Sequence, residues 1–239
     1  MNSKIHILRR SVALFVSFAS LCNLGFAGGT APVINEGNAT LVVTVVEDRE
    51  SATGGDASYQ DGSDRVHVFS NSATFTPRTD LNVEYLVVGG GGGGGGSYEG
   101  GGGGGGGFLT GDANLSSQAY AITVGAGGDP NVGNTTKAEN GGSSSIDGVA
   151  TVVGGGFGGS SGIWPHTGGD GASGGGSGLN AGGSGNQGNQ SDGGTGIAFA
   201  GGGGGGAGGG QNGEDGDNNN PHTGGDGGDG LVSSISGTA

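Results

Sequence analysis

Val83-Glu84-Tyr85-Leu86-Val87-Val88 runs without a break into eight consecutive glycines, Gly89 to Gly96. The first half reads as a β-strand, since it is short, β-branched and aromatic. The second half cannot build a core, because it has no side chains to bury. The same junction recurs at Val153 into Gly154 and at Ala200 into Gly201. No segment nearby holds a helical period over ten residues, and glycine disfavours helix by about 1 kcal/mol per residue. The fold expected is therefore mainly β and irregular. Short strands are interspersed with glycine-rich segments, the latter packed as polyglycine II helices, with no substantial helix outside the N-terminal export segment.

Upstream of this stretch the composition is ordinary. Leu41-Val42-Val43-Thr44-Val45-Val46 reads as a buried or edge strand, and the alternating Val66-His67-Val68-Phe69 and Ala73-Thr74-Phe75-Thr76 read as half-buried strands, the last ended by Pro77. Residues 51–64, rich in Gly, Asp and Ser, read as a loop. Downstream, 61 of the chain's 68 glycines lie from Gly89 onward. Apolar segments punctuate them at Tyr120-Ala121-Ile122-Thr123-Val124, residues 149–153, Ile197-Ala198-Phe199-Ala200 and residues 231–235.

The N-terminus has the three-part pattern of a secretory signal. Lys4, Arg9 and Arg10 precede an apolar run, and Gly25-Phe26-Ala27 places small residues where a signal peptidase reads. Cleavage is expected after Ala27, and the apolar run is short for a membrane span. Cys22 follows Leu21, where lipoprotein processing wants a small residue. Removal of residues 1–27 takes three of seven basic residues and none of the 21 acidic ones. The remainder has a net charge near −17 and no cysteine. Such a polyanion does not neutralise phosphates, which argues against nucleic acid as a partner. No membrane insertion of the mature chain is expected.

Glycine runs are flexible tethers by default, because fixing a residue's backbone costs about 1–2 kcal/mol and glycine has most to lose. Backbone hydrogen bonds return about 0.5–1.5 kcal/mol each. Order therefore requires nearly every glycine to be hydrogen-bonded. The interspersed strands, and the abrupt ends of the runs at Tyr98, Phe108, Phe157 and Phe199, favour order. The ordered form suggested is the three-residue polyproline II-type helix, whose N–H and C=O groups point sideways to neighbours.

Val66 to Phe69, Ala73 to Thr76 and Val83 to Val88 with its glycine run resemble the start of a glycine-rich domain family of secreted bacterial and phage tail or adhesin-type proteins. The resemblance returns at Ala121-Ile122-Thr123-Val124-Gly125-Ala126-Gly127-Gly128. It returns again at Gly141-Gly142-Ser143-Ser144-Ser145 leading to Ala150-Thr151-Val152-Val153, and at Gly228-Asp229-Gly230-Leu231-Val232-Ser233-Ser234-Ile235. It implies a polyglycine-rich β domain over residues 66–239, continuing past Ala239, and an extracellular location. It implies no known chemistry. Residues 28–65 then form an N-terminal strand and linker region.

Glycine content makes catalytic patterns fire by chance. Gly171-Ala172-Ser173-Gly174-Gly175 and Gly158-Gly159-Ser160-Ser161-Gly162 fit a nucleophile elbow, but no helix follows either. No phosphate-binding Gly-Lys-Ser/Thr and no His-Glu-x-x-His occur. Residues 224–232 satisfy the nonapeptide of calcium-binding rolls through Asp226 and Asp229, but rolls need tandem copies. An internal echo is stronger. Pro165-His166-Thr167-Gly168-Gly169-Asp170-Gly171 recurs unchanged 56 residues later as Pro221-His222-Thr223-Gly224-Gly225-Asp226-Gly227. If the two loops meet, His166, Asp170, His222 and Asp226 form a metal-ligand set; otherwise they are exposed loop residues. Trp164 is a candidate sugar-stacking residue or local packing. Asn38, Asn114, Asn134 and Asn189 lie in glycosylation patterns.

The sequence thus points to a non-catalytic extracellular structural or adhesive module, without a required cofactor. Its contacts would lie on loops such as Ser97-Tyr98-Glu99 and residues 162–167. The partner expected is an extracellular or surface ligand, with self-association as a further possibility. The alternatives are a calcium-dependent or ice-binding protein. A secreted hydrolase ranks last, for want of an acid–base constellation.

Overall fold

A computed structural model describes residues 51–96, 99–132, 136–162, 165–187, 191–197, 202, 210–217 and 223–235, and the backbone of 41–45. Residues 1–27, the expected export segment, lie outside the described residues. No helix occurs among them, and the strands are antiparallel. They are β1 (Leu41–Val45), β2 (Ala52–Thr53), β3 (Ala57–Asp61), β4 (Asp64–Phe69), β5 (Ala73–Pro77), β6 (Leu81–Val88), β7 (Phe108–Leu115), β8 (Tyr120–Thr123), β9 (Ser144–Ile146) and β10 (Ala150–Val152).

Two five-stranded sheets result, in the orders β3-β4-β1-β6-β7 and β10-β9-β8-β5-β2. Period-two patterning decides which side chains meet between them. Leu81, Val83, Tyr85 and Val87 of β6, with Phe69 and Leu115, face Phe75, Tyr120, Ile122, Ile146 and Val152 of the second sheet. The intervening residues of the first sheet also find apolar company. Val66, Val68 and Leu86 are buried on its other face with Tyr59, Val88, Phe108 and Ile235 against them.

Several expectations need correction. Residues 51–64 are not a loop throughout. They hold β2 and β3, and β3 pairs with β4 from Ala57↔Val68 to Asp61↔Asp64. The turn between β3 and β4 is closed by Gly62 at φ +61°, a left-handed conformation that suits glycine. The strand expected at residues 41–46 is present as Leu41–Val45, and of the buried and edge alternatives it takes the interior place, hydrogen-bonded to β4 on one side and β6 on the other. Residues 231–235, apolar enough to suggest a strand, form none, and Val232 is 87% exposed. Composition of this kind marks a strand only where packing and pairing support one, so β propensity alone is not enough. Of the segment at 197–200, only Ile197 lies within the described residues, and it is in an isolated bridge position.

The strands do not end where the glycines begin. β6 and β7 pair from Leu81↔Leu115 to Val88↔Phe108. The same register continues as Gly89 N–H to Gly107 O (2.8 Å), Gly92 N–H to Gly104 O (2.9 Å) and Gly95 N–H to Gly101 O (2.8 Å). β8 and β9 extend likewise through Gly142 N–H to Ala126 O and Glu139 N–H to Asp129 O. β9 and β10 extend through Gly141 N–H to Gly155 O. Beyond each junction the bonds fall at every third residue rather than alternating, which is the repeat of a polyglycine II helix.

Candidate functional site

Three residues per turn give each glycine segment three directions in which to bond. Gly89, Gly92 and Gly95 donate to residues 101–107, and Gly90 and Gly93 donate to Gly142 and Glu139. The carbonyls of Gly91 and Gly94 accept from Gly128 and Asn131. The backbones approach so closely that a Cβ has no room at most positions. One built on Gly90, Gly92 or Gly93 would overlap a carbonyl oxygen of Ala126, Gly156 or Asp129, whereas at Gly94 nothing lies within 4 Å.

The centre of this lattice is the segment 172–178. Its N–H and C=O groups bond to segments 154–159, 166–169, 183, 191–194, and to Gly102 and Gly202. Six other segments thus bond to it. The non-glycine residues admitted here are small: Ala172, Ser173, Ser177 and, across from them, Ser191 are buried. Ser177 Oγ donates to Asn180 O and accepts from Gly196 N (2.6 Å). Ser173, central to one nucleophile-elbow match, is enclosed in the lattice with a relative exposure of 0%. The Ser160 of the other match donates its Oγ to Gly96 O at 2.8 Å.

The predicted metal residues fall as follows. His166 Nδ1 lies 2.6 Å from Ser160 O, and since a carbonyl only accepts, that nitrogen carries the proton. Asp170 Oδ1 accepts from Ser184 N at 2.7 Å. Asp226 and Asp229 are exposed, three residues apart on the segment 223–230, which pairs with 211–217. His222 lies outside the described residues. Among those described, no three His, Cys, Asp or Glu side chains are grouped as metal ligands would be. Of the proposed contact loops, Glu99 N donates to Ser161 Oγ (3.3 Å), while Ser97, Tyr98, Ile163 and Trp164 lie outside the described residues.

The sequence reading missed two features. One is a cleft of about 590 Å³ between β7 and the β9–β10 turn, lined by Tyr85, Asp112, Asn114, Gln118, Tyr120 and Asp147 among others. Gly111 on β7 lies opposite Tyr85, and a Cβ there would sit 2.6 Å from the Tyr85 hydroxyl. The other is the buried His67. Its Nδ1 lies 2.6 Å from Gly54 O, and its ring meets Phe75 edge-on at 5.3 Å. Burial pushes its pKa below the usual value; the Gly54 bond opposes this and the Arg65 charge adds to it. Asp56 shows the opposite balance for an acid. Burial pushes its carboxyl up, but hydrogen bonds from Ser70 and Asn71 outweigh this and hold it low.

The described residues thus form an antiparallel β-sandwich whose strands continue into a lattice of three-residue glycine helices. The chain matches the glycine-rich domain family model over residues 67–239, and it belongs to that family. No curated protein and no solved structure matches it.

Proposed function

We propose that this protein is a non-catalytic structural module, exported by way of residues 1–27, that holds connecting loops rigidly outward as contact surface. The observation that carries this reading is that backbone hydrogen bonds join segment 172–178 to six other, largely glycine, segments. Chain held that way is ordered without a conventional core, and its interior has no room for a substrate. What it can offer lies at the ends of the helices, where loops connect them. The bacterial and adhesive setting belongs to this proposal. It rests on the resemblance of residues 66–239 to glycine-rich domains of secreted bacterial and adhesin-type proteins; the signal-like N-terminus supports export, and the acidic composition favours solubility.

The test is expression of the full chain in a bacterial host, followed by fractionation and surface-binding assays. The protein should be recovered outside the cytoplasm, shortened by 27 residues. Beads coated with it should bind intact cells or cell-surface polysaccharide, and Trp164→Ala should weaken that binding. Chelation of calcium should change neither binding nor the far-UV circular dichroism. An unprocessed cytoplasmic product, or a fold that forms only with calcium, would overturn the proposal.

A further inference from the structure

The repeated heptapeptide places the same residues in two different surroundings. In the first copy, Gly168 and Gly171 donate N–H bonds to Ala181 O and Ser184 O, both 3.2 Å. Asp170 Oδ1 accepts from Ser184 N, and the Asp170 carbonyl accepts from Asn140 Nδ2 at 2.9 Å. Gly169 bonds through its N–H to Phe157 O and through its carbonyl to Gly175 N. Three further segments thus flank this copy.

The second copy, described from Thr223, has one such flank among the described residues. Thr223 exchanges bonds with Asp217, while Asp226 O and Asp229 O accept from Glu214 N and Gln211 N. Gly224, Gly227 and Gly230, three residues apart, are exposed, as is Asp226. Gly224, Asp226 and Gly227 are the counterparts of Gly168, Asp170 and Gly171. The groups that hold a neighbouring glycine helix in the first copy therefore face solvent in the second.

We infer that this edge docks a second copy of the same chain, segment 223–230 against segment 223–230 in antiparallel orientation. The first copy shows what the surface fits: a glycine-rich three-residue helix. Other margins of the lattice present larger groups, such as Asp129 and Pro130, or Gln211, Asn212, Glu214 and Asp215, all exposed. Among the described residues, segment 223–230 presents an edge with an exposed glycine at every third position, Gly224, Gly227 and Gly230, and a second molecule brings the same edge. Antiparallel pairing matches the junction already made between 89–95 and 101–107, and a two-fold axis closes the pair. Asp226 of each molecule then meets a backbone N–H of the other, as Asp170 meets Ser184. Because Asp226 and Asp229 also bring like charges together, association strengthens with salt.

Sedimentation equilibrium of the full chain tests this at low and at 0.5 M salt (roughly a 4 Å screening length), with Gly227→Val beside the wild type. Far-UV circular dichroism and thermal melting confirm that the exposed substitution leaves the fold intact. The expected result is a reversible dimer, tightened by salt and weakened at least tenfold by the substitution. Asp226→Asn serves as the second variant and should flatten the salt dependence. A wild type that stays monomeric at every concentration and salt level would overturn the inference, as would a Gly227→Val protein that dimerises as well as the wild type.

Discussion

In the sandwich, Phe69, Phe75, Ile122 and Ile146 fill the space between two sheets. In the lattice nothing fills the space, because the backbones themselves touch. The sandwich gains its stability from apolar area removed from water. The lattice gains its stability from hydrogen bonds and from close contact between glycines. The two are joined by shared register, since β6, β7, β8, β9 and β10 each continue as a glycine segment. This teaches that the sandwich sets the alignment the lattice then propagates. The described residues between 165 and 230 add further segments that form no β-strand.

Substitutions on either side of the junction break the comparison in different ways. Phe75→Ala should have the largest effect, a loss of about 3–5 kcal/mol. It should lower the melting of sandwich and lattice together, as read by denaturant unfolding with two probes. Gly92→Ala should follow, at about 3 kcal/mol, the upper end for overpacking. Its Cβ would overlap the Gly156 carbonyl. Hydrogen exchange should then rise in the glycine segments while Val83 and Ile122 stay protected. If both sets rise together, the lattice and the sandwich are one cooperative unit.

A smaller effect should come from His67. Its pKa is lower folded than unfolded, so the unfolded chain takes up the proton first as pH falls. The contribution to stability is complete above the unfolded value near 6.5 and declines as pH drops from there toward the folded value. Urea midpoints between roughly pH 7.5 and 5.5 should show that slope, and His67→Phe should remove it. Smallest of all is Gly94→Ala. With open space at that position, it should be neutral or stabilise by about 0.4–1 kcal/mol. Set beside Gly92→Ala, two positions away, it tests the three-residue repeat directly.

The strands that precede glycine were legible because Val83 to Val88 and Ala150 to Val153 carry β-branched residues up to the junction. β7 was not, since Phe-Leu-Thr-Gly-Asp-Ala-Asn-Leu has a central glycine and alternates poorly. It is a strand because β6 lies beside it. β9 is three residues long, too short for any periodicity to show. The three-residue repeat was hidden by its own abundance of glycine. Where all three positions are Gly, as in 89–96, no period can be read. It surfaces at Gly210, Gly213 and Gly216, where other residues separate the glycines. Residues 231–235 mislead for the opposite reason, having strand composition without forming a strand. Of the candidate metal residues, composition located the echo, but the distinct surroundings of Asp170 and Asp226 arise only from packing.

The most direct test is amide hydrogen exchange, residue by residue, across Gly89 to Gly95 in the native protein. Hydrogen-bonded amides of an ordered lattice exchange slowly. The account predicts slow exchange at Gly89, Gly90, Gly92, Gly93 and Gly95, and fast exchange at Gly91 and Gly94, a period of three. Uniformly fast exchange would make the segment a tether, and protection at every second residue would make it a β-strand. Either result would contradict the lattice.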